Sequence, residues 1–422
     1  MNKHGKPRVT EPERRQGVMR FEVPEDSLEP EHPARALWQA LGKLDLSAFL
    51  DEARAVEGAA GRPTHSPRML LTLWTYAISE GVGSAREIER LTRSDRAYAW
   101  IVGDVQVGHQ VLSRFRVGHQ AALDKLMTDI LAALLHGGVL SLKLVAADGM
   151  RVRAAASAPS FRTREALEAC REQAALHLEA VLAQADDPEL SRTQKGAREA
   201  AARDFQRRIE AAITTVEELQ KERSPSRPSA RASTTDAEAR VMKMADGGFR
   251  PAMNVRTATA GSELGGPRTI VAIDVTNVGS DMNAVVPLLD QIERRTGHRP
   301  ECLLADANHQ SHEGIVTAMD RGVEPLIAVH KRSANAGSKG SRDPRIAAWK
   351  ANMQTERAKS LYRARASLCE LSNAHMRERY GLHRLLVRGL AKATSVATMT
   401  AITANLVAHL VELTGGGADY TF

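Results

Sequence analysis

The chain has 422 residues, 43% of them hydrophobic and 26% charged, with a formal net charge of +7. That length exceeds what one core usually serves, so two or three packed units are expected and a small stapled scaffold is excluded. Cys170, Cys302 and Cys369 stand far apart with no CxxC pair, which argues against a disulfide framework and a structural zinc site and suits a reducing cytosol.

Residues 1–27 are charged and Pro-containing without periodicity, and read as a flexible basic arm. They hold no apolar h-region, and no stretch of the chain approaches the roughly 18 uncharged apolar residues that span a bilayer. A cytoplasmic protein with no membrane partner is therefore expected. Residues 28–138 read as helical. Ser66-Pro67 supplies an N-cap and a Pro at the first helical position, followed by Met69, Leu70, Leu73 and Tyr76 at helical spacing. Ser84 and Glu87 form an S-x-x-E capping box before Ile88 and Leu91. Leu123, Leu126, Ile130 and Leu134 form one stripe of a last long helix, which Gly137-Gly138 ends. Arg86, Arg90, Arg93 and Arg96, then Arg114 and Arg116, suit either a helix-turn-helix-like DNA-reading role or a solvated basic face.

From Leu142 the pattern changes. LKLVAAD is the short apolar run of a buried strand ending at Asp148. Two helical stripes follow, Leu167, Ala174, Leu178, Val181 and Leu182, then Phe205, Ile209, Ile213, Val216 and Leu219, separated by ADDPEL. They predict an antiparallel helical hairpin over 159–233, inserted between the first two strands and returning through the Ser/Pro/Arg linker SPSRPSARAS. GGFRPAMNVRTATA and RTIVAIDVTN then read as strands. After them come a helix carrying Val285, Leu288, Leu289 and Ile292, a strand ECLLAD ending in Asp306, a short helix and a strand PLIAVH. Residues 345–380 read as one long basic helix, and Val396, Met399, Ile402, Leu406 and Leu410 as the packing stripe of a final one.

Three carboxylates bear on chemistry. In-line displacement at a phosphodiester is served by two divalent cations about 4 Å apart, one activating the nucleophile and one stabilising the leaving oxygen. Mg²⁺ takes oxygen ligands and keeps some water, so a few carboxylates on rigid elements suffice. Asp148 and Asp306 each end an apolar strand, where a charge is costly unless paired or bound to metal; each also fits a strand-end Asp that starts a turn. Glu370 lies on the basic helix. Seven residues are about two helical turns, so Arg363, Glu370, Arg377 and Arg384 share a face if the helix continues that far, either gripping phosphates around a metal ligand or forming a surface salt-bridge helix. From Lys331 to Lys392 there are fifteen Lys/Arg against four Asp/Glu, a local +11. Such a stripe would neutralise several phosphates, with Trp349 and Tyr362 either stacking on an unpaired base or serving the core.

These segments resemble the DDE transposases of bacterial insertion sequences over nearly the whole chain. HPARALWQAL and GRPTHSPRMLLTLWTYAISEGVGSAREIERL resemble the family's helical DNA-binding domain, AADGMRVRAAAS its first-Asp motif and STTDAEARVMKMADGGFRPAMNV the segment after the insertion. LLADANHQSHEGI resembles the second-Asp motif, and RARASLCELSNAHMRERYGLHRLLVRGLAKA the Glu helix with its basic extension. The family's Glu helix reads Tyr, two residues, Arg, three residues, Glu, six residues, Lys. Here Tyr362 and Arg365 stand one residue too far from Glu370, Ala366 occupies the Arg position and Arg377 fills the Lys position, so which arginine serves stays open. His309, after the second Asp, fits a surface histidine or an extra base or ligand.

The resemblance implies an α/β RNase H-like catalytic domain, with a mixed five-stranded sheet and flanking helices, over 139–158 and 234–395. It adds the helical DNA-binding domain at 28–138, the inserted hairpin and linker at 159–233, and a C-terminal helix and tail at 396–422. It implies catalysis by Asp148, Asp306 and Glu370 holding two Mg²⁺ or Mn²⁺ ions. It supports a DNA contact from Arg377, and the charge pattern adds Arg86, Arg90, Arg114, Arg116, Tyr362, Arg363, Arg365, Arg384 and Arg388 as expected DNA contacts. The partners implied are double-stranded DNA, both the element's terminal inverted repeats and the target, and a second copy of the chain in a homodimeric synaptic complex, on the bacterial nucleoid when bound. The residues taken without the resemblance reach a basic, metal-dependent, nuclease-like α/β domain; a nuclease without joining activity and a non-catalytic transposase-derived DNA-binding protein are the alternatives.

Overall fold

The computed structural model describes residues 23–51, 63–184, 189–224, 226, 228–261, 266–330 and 343–415. Most of the predicted basic arm, part of the Ser/Pro/Arg linker and the C-terminal tail lie outside them. Among the described residues six α-helices come first: α1 (Pro33–Gly42), α2 (Pro67–Ser79), α3 (Ala85–Ser94), α4 (Arg96–Val102), α5 (His109–Gly118) and α6 (Gln120–His136). Ser66 caps α2 by accepting the Met69 N–H at 3.4 Å, and Pro67 opens the helix. Ser84 accepts the Glu87 N–H at 3.5 Å. The Glu87 carboxylate, however, takes the Arg90 guanidinium rather than turning back to the cap, so only half of the predicted box forms.

The α/β part begins with β1 (Leu144–Arg153). A minor ribbon, β2 (Phe161–Arg162) with β3 (Ala232–Ser233), brackets two long helices, α7 (Arg164–Ala183) and α8 (Arg192–Lys221). These pack on each other through Leu167, Ala174, Ile209, Ile213 and Val216, whereas Leu182 is exposed. Then come β4 (Arg240–Lys243), β5 (Phe249–Ala260), β6 (Thr269–Thr276), α9 (Val285–Thr296), β7 (Cys302–Ala305), α10 (His312–Asp320) and β8 (Glu324–Ile327). Among the described residues the main sheet is mixed and has six strands rather than five, because β4 adds a short antiparallel partner to β5. Its order is β4-β5-β1-β7-β8, and β6 also pairs with β5. β1, β7 and β8 run parallel, while β5 runs antiparallel to β1, β4 and β6.

Alternation along β1 assigns the two faces of the sheet. Val145 and Ala147 join a large core that runs on through α9 and the N-terminal helices without a break at residue 138. Leu144 and Ala146 face the other way, with Cys302, Leu304 and Leu326, against Ala358, Leu368 and Cys369. The first face is covered by α13 (Leu390–Ala408), wedged between β6 and α2, α5 and α6. That position accounts for its near-complete burial, which includes Val396, Met399, Ile402 and Leu406, while Leu410 belongs to a following short helix, α14 (Leu410–Thr414).

The predicted basic helix over 345–380 is not one helix. It comprises α11 (Pro344–Asn352), α12 (Glu356–Arg365), a π turn (Ala366–Glu370), an α turn (Leu371–Ala374) and a second π turn (His375–Arg379). It stops at Tyr380 because Gly381 takes φ +70° against Gly81, whose carbonyl oxygen would lie 3.0 Å from any Cβ there. The chain then turns back, and Arg384 pairs in a bridge with Arg153 of β1. Arg384 therefore does not extend the helical face predicted for it.

Candidate active site

Asp148 is not at the end of its strand. β1 continues through Gly149 to Arg153 because β5 is long enough to pair with all of it, and Asp148 lies opposite Thr257. What ends near Asp148 is the parallel neighbour: Ala147 pairs with Ala305, the last residue of β7, and Asp306 follows immediately. Asp148, within β1, and Asp306, just past the carboxyl end of the parallel strand β7, thus stand side by side at the edge where open α/β sheets place ligands. Gly149 is required by packing, since a Cβ would fall 2.2 Å from Oδ1 of the buried Asp281.

Each aspartate is held differently. Asp148 accepts the Asn373 side-chain amide at 3.2 Å, and Asn373 in turn accepts the Thr257 hydroxyl at 2.9 Å. Burial pushes the Asp148 carboxyl above the usual carboxylate range, despite the Arg365 and His309 charges and the Gly149 N–H, and Asp306 adds repulsion. Burial acts in the same sense on Asp306. There it is outweighed by the His309 hydrogen bond and charge, the Asn308 N–H and Arg365, which hold the carboxyl below its ordinary value. Asp306 caps a 3₁₀ turn, accepting the Asn308 N–H at 3.0 Å, the Asn308 amide at 2.7 Å and the His309 Nδ1–H at 2.7 Å. His309 is fully buried, with no hydrogen-bond partner for Nε2 among the described residues; the surface position predicted for it is wrong, because its Nδ1 bonds back to Asp306 and draws the ring inward.

Glu370 ends the first π turn and is half-exposed, its carboxylate bound by the Arg365 guanidinium. An i→i+5 turn holds one residue more than an α turn, and this accounts for the spacing. Tyr362 and Arg365, one residue too far from Glu370 by count, are brought back into register by the bulge, with Arg365 5.9 Å over the Tyr362 ring. Arg365, not Arg363, faces Glu370; Arg363 lies two residues away on the helix, pointing elsewhere and exposed. Arg365 also acts electrostatically on both Asp148 and Asp306, so one guanidinium serves all three carboxylates. Glu370, Arg377 and Asp148 line one groove of about 1140 Å³. Among the described residues, no three His, Cys, Asp or Glu side chains converge closely enough to hold a metal ion.

The other predicted DNA contacts divide by burial. Arg86 and Arg114 are exposed with no ion pair among the described residues, Arg90 is tied to Glu87, and Arg388 stands 4.0 Å from Asp204. Arg116 is not a surface group. It is buried over the Trp74 ring at 4.1 Å and donates to the Gly83 carbonyl at 2.9 Å, and burial pushes its guanidinium down to about 10. Trp349 is buried in the core, so it is not available for base stacking. Asn373 and Thr257 were missed from the sequence; the spacing of Asn373, three residues after Glu370, was the only available signal.

Two family models match the chain: a transposase domain (DUF772) over residues 22–118 and a transposase DDE domain over residues 237–406. The chain belongs to the DDE transposases. No curated protein matches it, and no solved structure does. As a DDE transposase it is an enzyme of DNA phosphoryl transfer that uses divalent metal and has DNA as its partner. The DDE match includes Asp306, Glu370 and Arg377 and begins after the helix pair; Asp148 lies outside it, on the strand that pairs with β7. The donor set suits such an ion: hard carboxylate oxygens, with a half-buried Asp148 that makes no salt bridge among the described residues. No helix among the described residues is long and apolar enough to cross a membrane.

Proposed function

We propose that this transposase binds the terminal inverted repeats of its insertion sequence and carries out metal-dependent cleavage and transfer of the DNA strands. The observation that supports the reading best is the placement side by side of Asp148, on β1, and Asp306, just past the end of the adjacent parallel strand β7, with Arg365, which pairs with Glu370, acting electrostatically on both. Asp148, Asp306 and Glu370 would hold two Mg²⁺ or Mn²⁺ ions, whose chemistry is to activate the attacking oxygen and stabilise the leaving one. The protein's own part is positional. Asn373 orients Asp148, His309 and Asn308 orient Asp306, and Arg365 and Arg377 balance the carboxylates and grip phosphate.

In this reading 139–158 and 234–395 form an RNase H-like catalytic domain. Residues 28–138 bind the end sequence, using Arg86, Arg90 and Arg114. The α7–α8 pair is an inserted hairpin that serves the homodimer of a synaptic complex on nucleoid DNA in the cytoplasm. Tyr362, Arg363 and Arg388 complete the contacts around the Glu helix. The test is cleavage and joining of a DNA fragment bearing the element's terminal repeat, with Mg²⁺ or EDTA, for wild type and Asp306→Ala. Metal-dependent joined product that the variant loses supports the reading. Cleavage without joining assigns a plain nuclease, and binding with neither assigns a retired enzyme.

A further inference from the structure

We propose that the groove leading from Asp148 and Glu370 along the β4–β5 hairpin carries the phosphate backbone of the DNA strand approaching the carboxylates, with Arg153 and Lys243 as its phosphate contacts. This assignment rests on the transposase reading and adds residues that neither the helical region nor the Glu helix supplies. The groove, about 1140 Å³, is lined by six cationic side chains, Arg151, Arg153, Arg240, Lys243, Arg250 and Arg377, against four carboxylates, Asp148, Asp246, Glu370 and Glu378. Two of those four are the groups assigned to metal. Small-molecule sites are mostly apolar and occupy roughly 300–1,000 Å³; this one is larger, open and charged.

Most of its cations are already engaged. Arg151 is paired with the buried Asp281, Arg250 with Asp246, and Arg377 stands 3.9 Å from Glu378. Arg240 donates to the Ala237 and Ala239 carbonyls. Arg153 and Lys243 are exposed and make no ion pair among the described residues. They stand on different strands along one groove, a spacing suited to a polyanion rather than to a single phosphate. From Thr257, opposite Asp148, back to Phe249, opposite Lys243, is eight residues of β5. That is about 27 Å of strand, against about 3.4 Å of helix axis per phosphate on one DNA strand. The groove therefore has room for several phosphates.

The basic C-terminal stripe offers less than its composition suggests. Arg345 is paired with Asp320 and Asp343, Arg357 with Glu324, Lys359 with Glu356 and Arg365 with Glu370. Lys331, Arg332, Lys339 and Arg342 lie outside the described residues.

Phosphate contacts carry no sequence information, so the test needs no knowledge of the element's ends. Binding of the full-length protein to a labelled duplex of arbitrary sequence is followed by fluorescence anisotropy over a salt series in EDTA. Each lost phosphate contact flattens the log K against log salt slope by about 0.9, so the Arg153→Gln and Lys243→Gln variants should each flatten it by about 0.9 and the double variant by about 1.8. Phe249→Ala, across the hairpin from Lys243 and 69% exposed, should leave the slope unchanged. Unchanged slopes in both Gln variants, or a slope flattened equally by Phe249→Ala, would overturn the assignment. Wild-type cleavage of the element's own ends, measured separately, tests the transposase reading by itself, so the two failures are distinguishable.

Discussion

The strand half and the helix half of the site solve the same problem in different ways. Asp148 and Asp306 are placed by backbone pairing to both sides of β1, and each carboxylate is further held by buried or capping amides and a buried imidazole. Glu370 sits on a helix with two π turns, half-exposed and tied to a single arginine. A sheet cannot shift register by one residue without turning every side chain over. A helix, by contrast, can absorb one residue as a π bulge and keep both flanks in place. The strands thus set where the charges are, and the helix sets which cations reach them.

This contrast can be broken in graded ways. The largest effect is expected from Asp148→Ala or Asp306→Ala, each of which should reduce Mg²⁺-dependent cleavage and joining to background; activity retained in either would remove that residue from the site. Asn373→Ala comes next. It leaves Asp148 without its amide, and loss of such a supporting contact typically costs about 10–100-fold in metal affinity. A Mn²⁺ titration by calorimetry should show that loss, and unchanged affinity would make Asn373 merely a packing residue.

Arg116→Ala probes the other class of arginine. Losing its contact with Trp74 and its hydrogen bond to Gly83 should cost about 1–3 kcal/mol of stability, read as a lower Tm, while the salt dependence of DNA binding stays as in wild type. Arg114→Ala should do the reverse. The smallest effect is expected from deletion of Ala366. The π turn should relax to an α turn, the spacing of Arg365 to Glu370 should become the family's own, and Tm and activity should stay close to wild type. An added alanine at the same place should abolish activity, and equal damage from deletion and insertion would show that the bulge has a role of its own.

Much of this was legible in the residues. The capped α2, the strands β5 to β8 and the order of helices between them follow from periodicity and caps, because burial of one face imposes those patterns. The two aspartates were visible because a charge closing an apolar run is costly. Less legible were features that depend on a partner distant in sequence. β4 is too short to announce itself without β5. Arg116 looks like any surface arginine until Trp74 covers it, and His309 looks exposed until Asp306 turns its ring inward.

By itself, then, the sequence determined the local choices of this protein: which segments are helix or strand, where they are capped, and which carboxylates close apolar runs, since these depend on neighbours within a few residues. Only the tertiary structure decided which charges are free. Fifteen cations in the C-terminal stretch suggested the DNA surface, yet many of those described are neutralised at home, while Arg153 and Lys243, unremarkable in their strands, remain exposed along the groove that leads to the carboxylates. The physical reason is that a charge's availability depends on its ion-pair partners and its burial, and both are set by contacts between residues far apart in the chain.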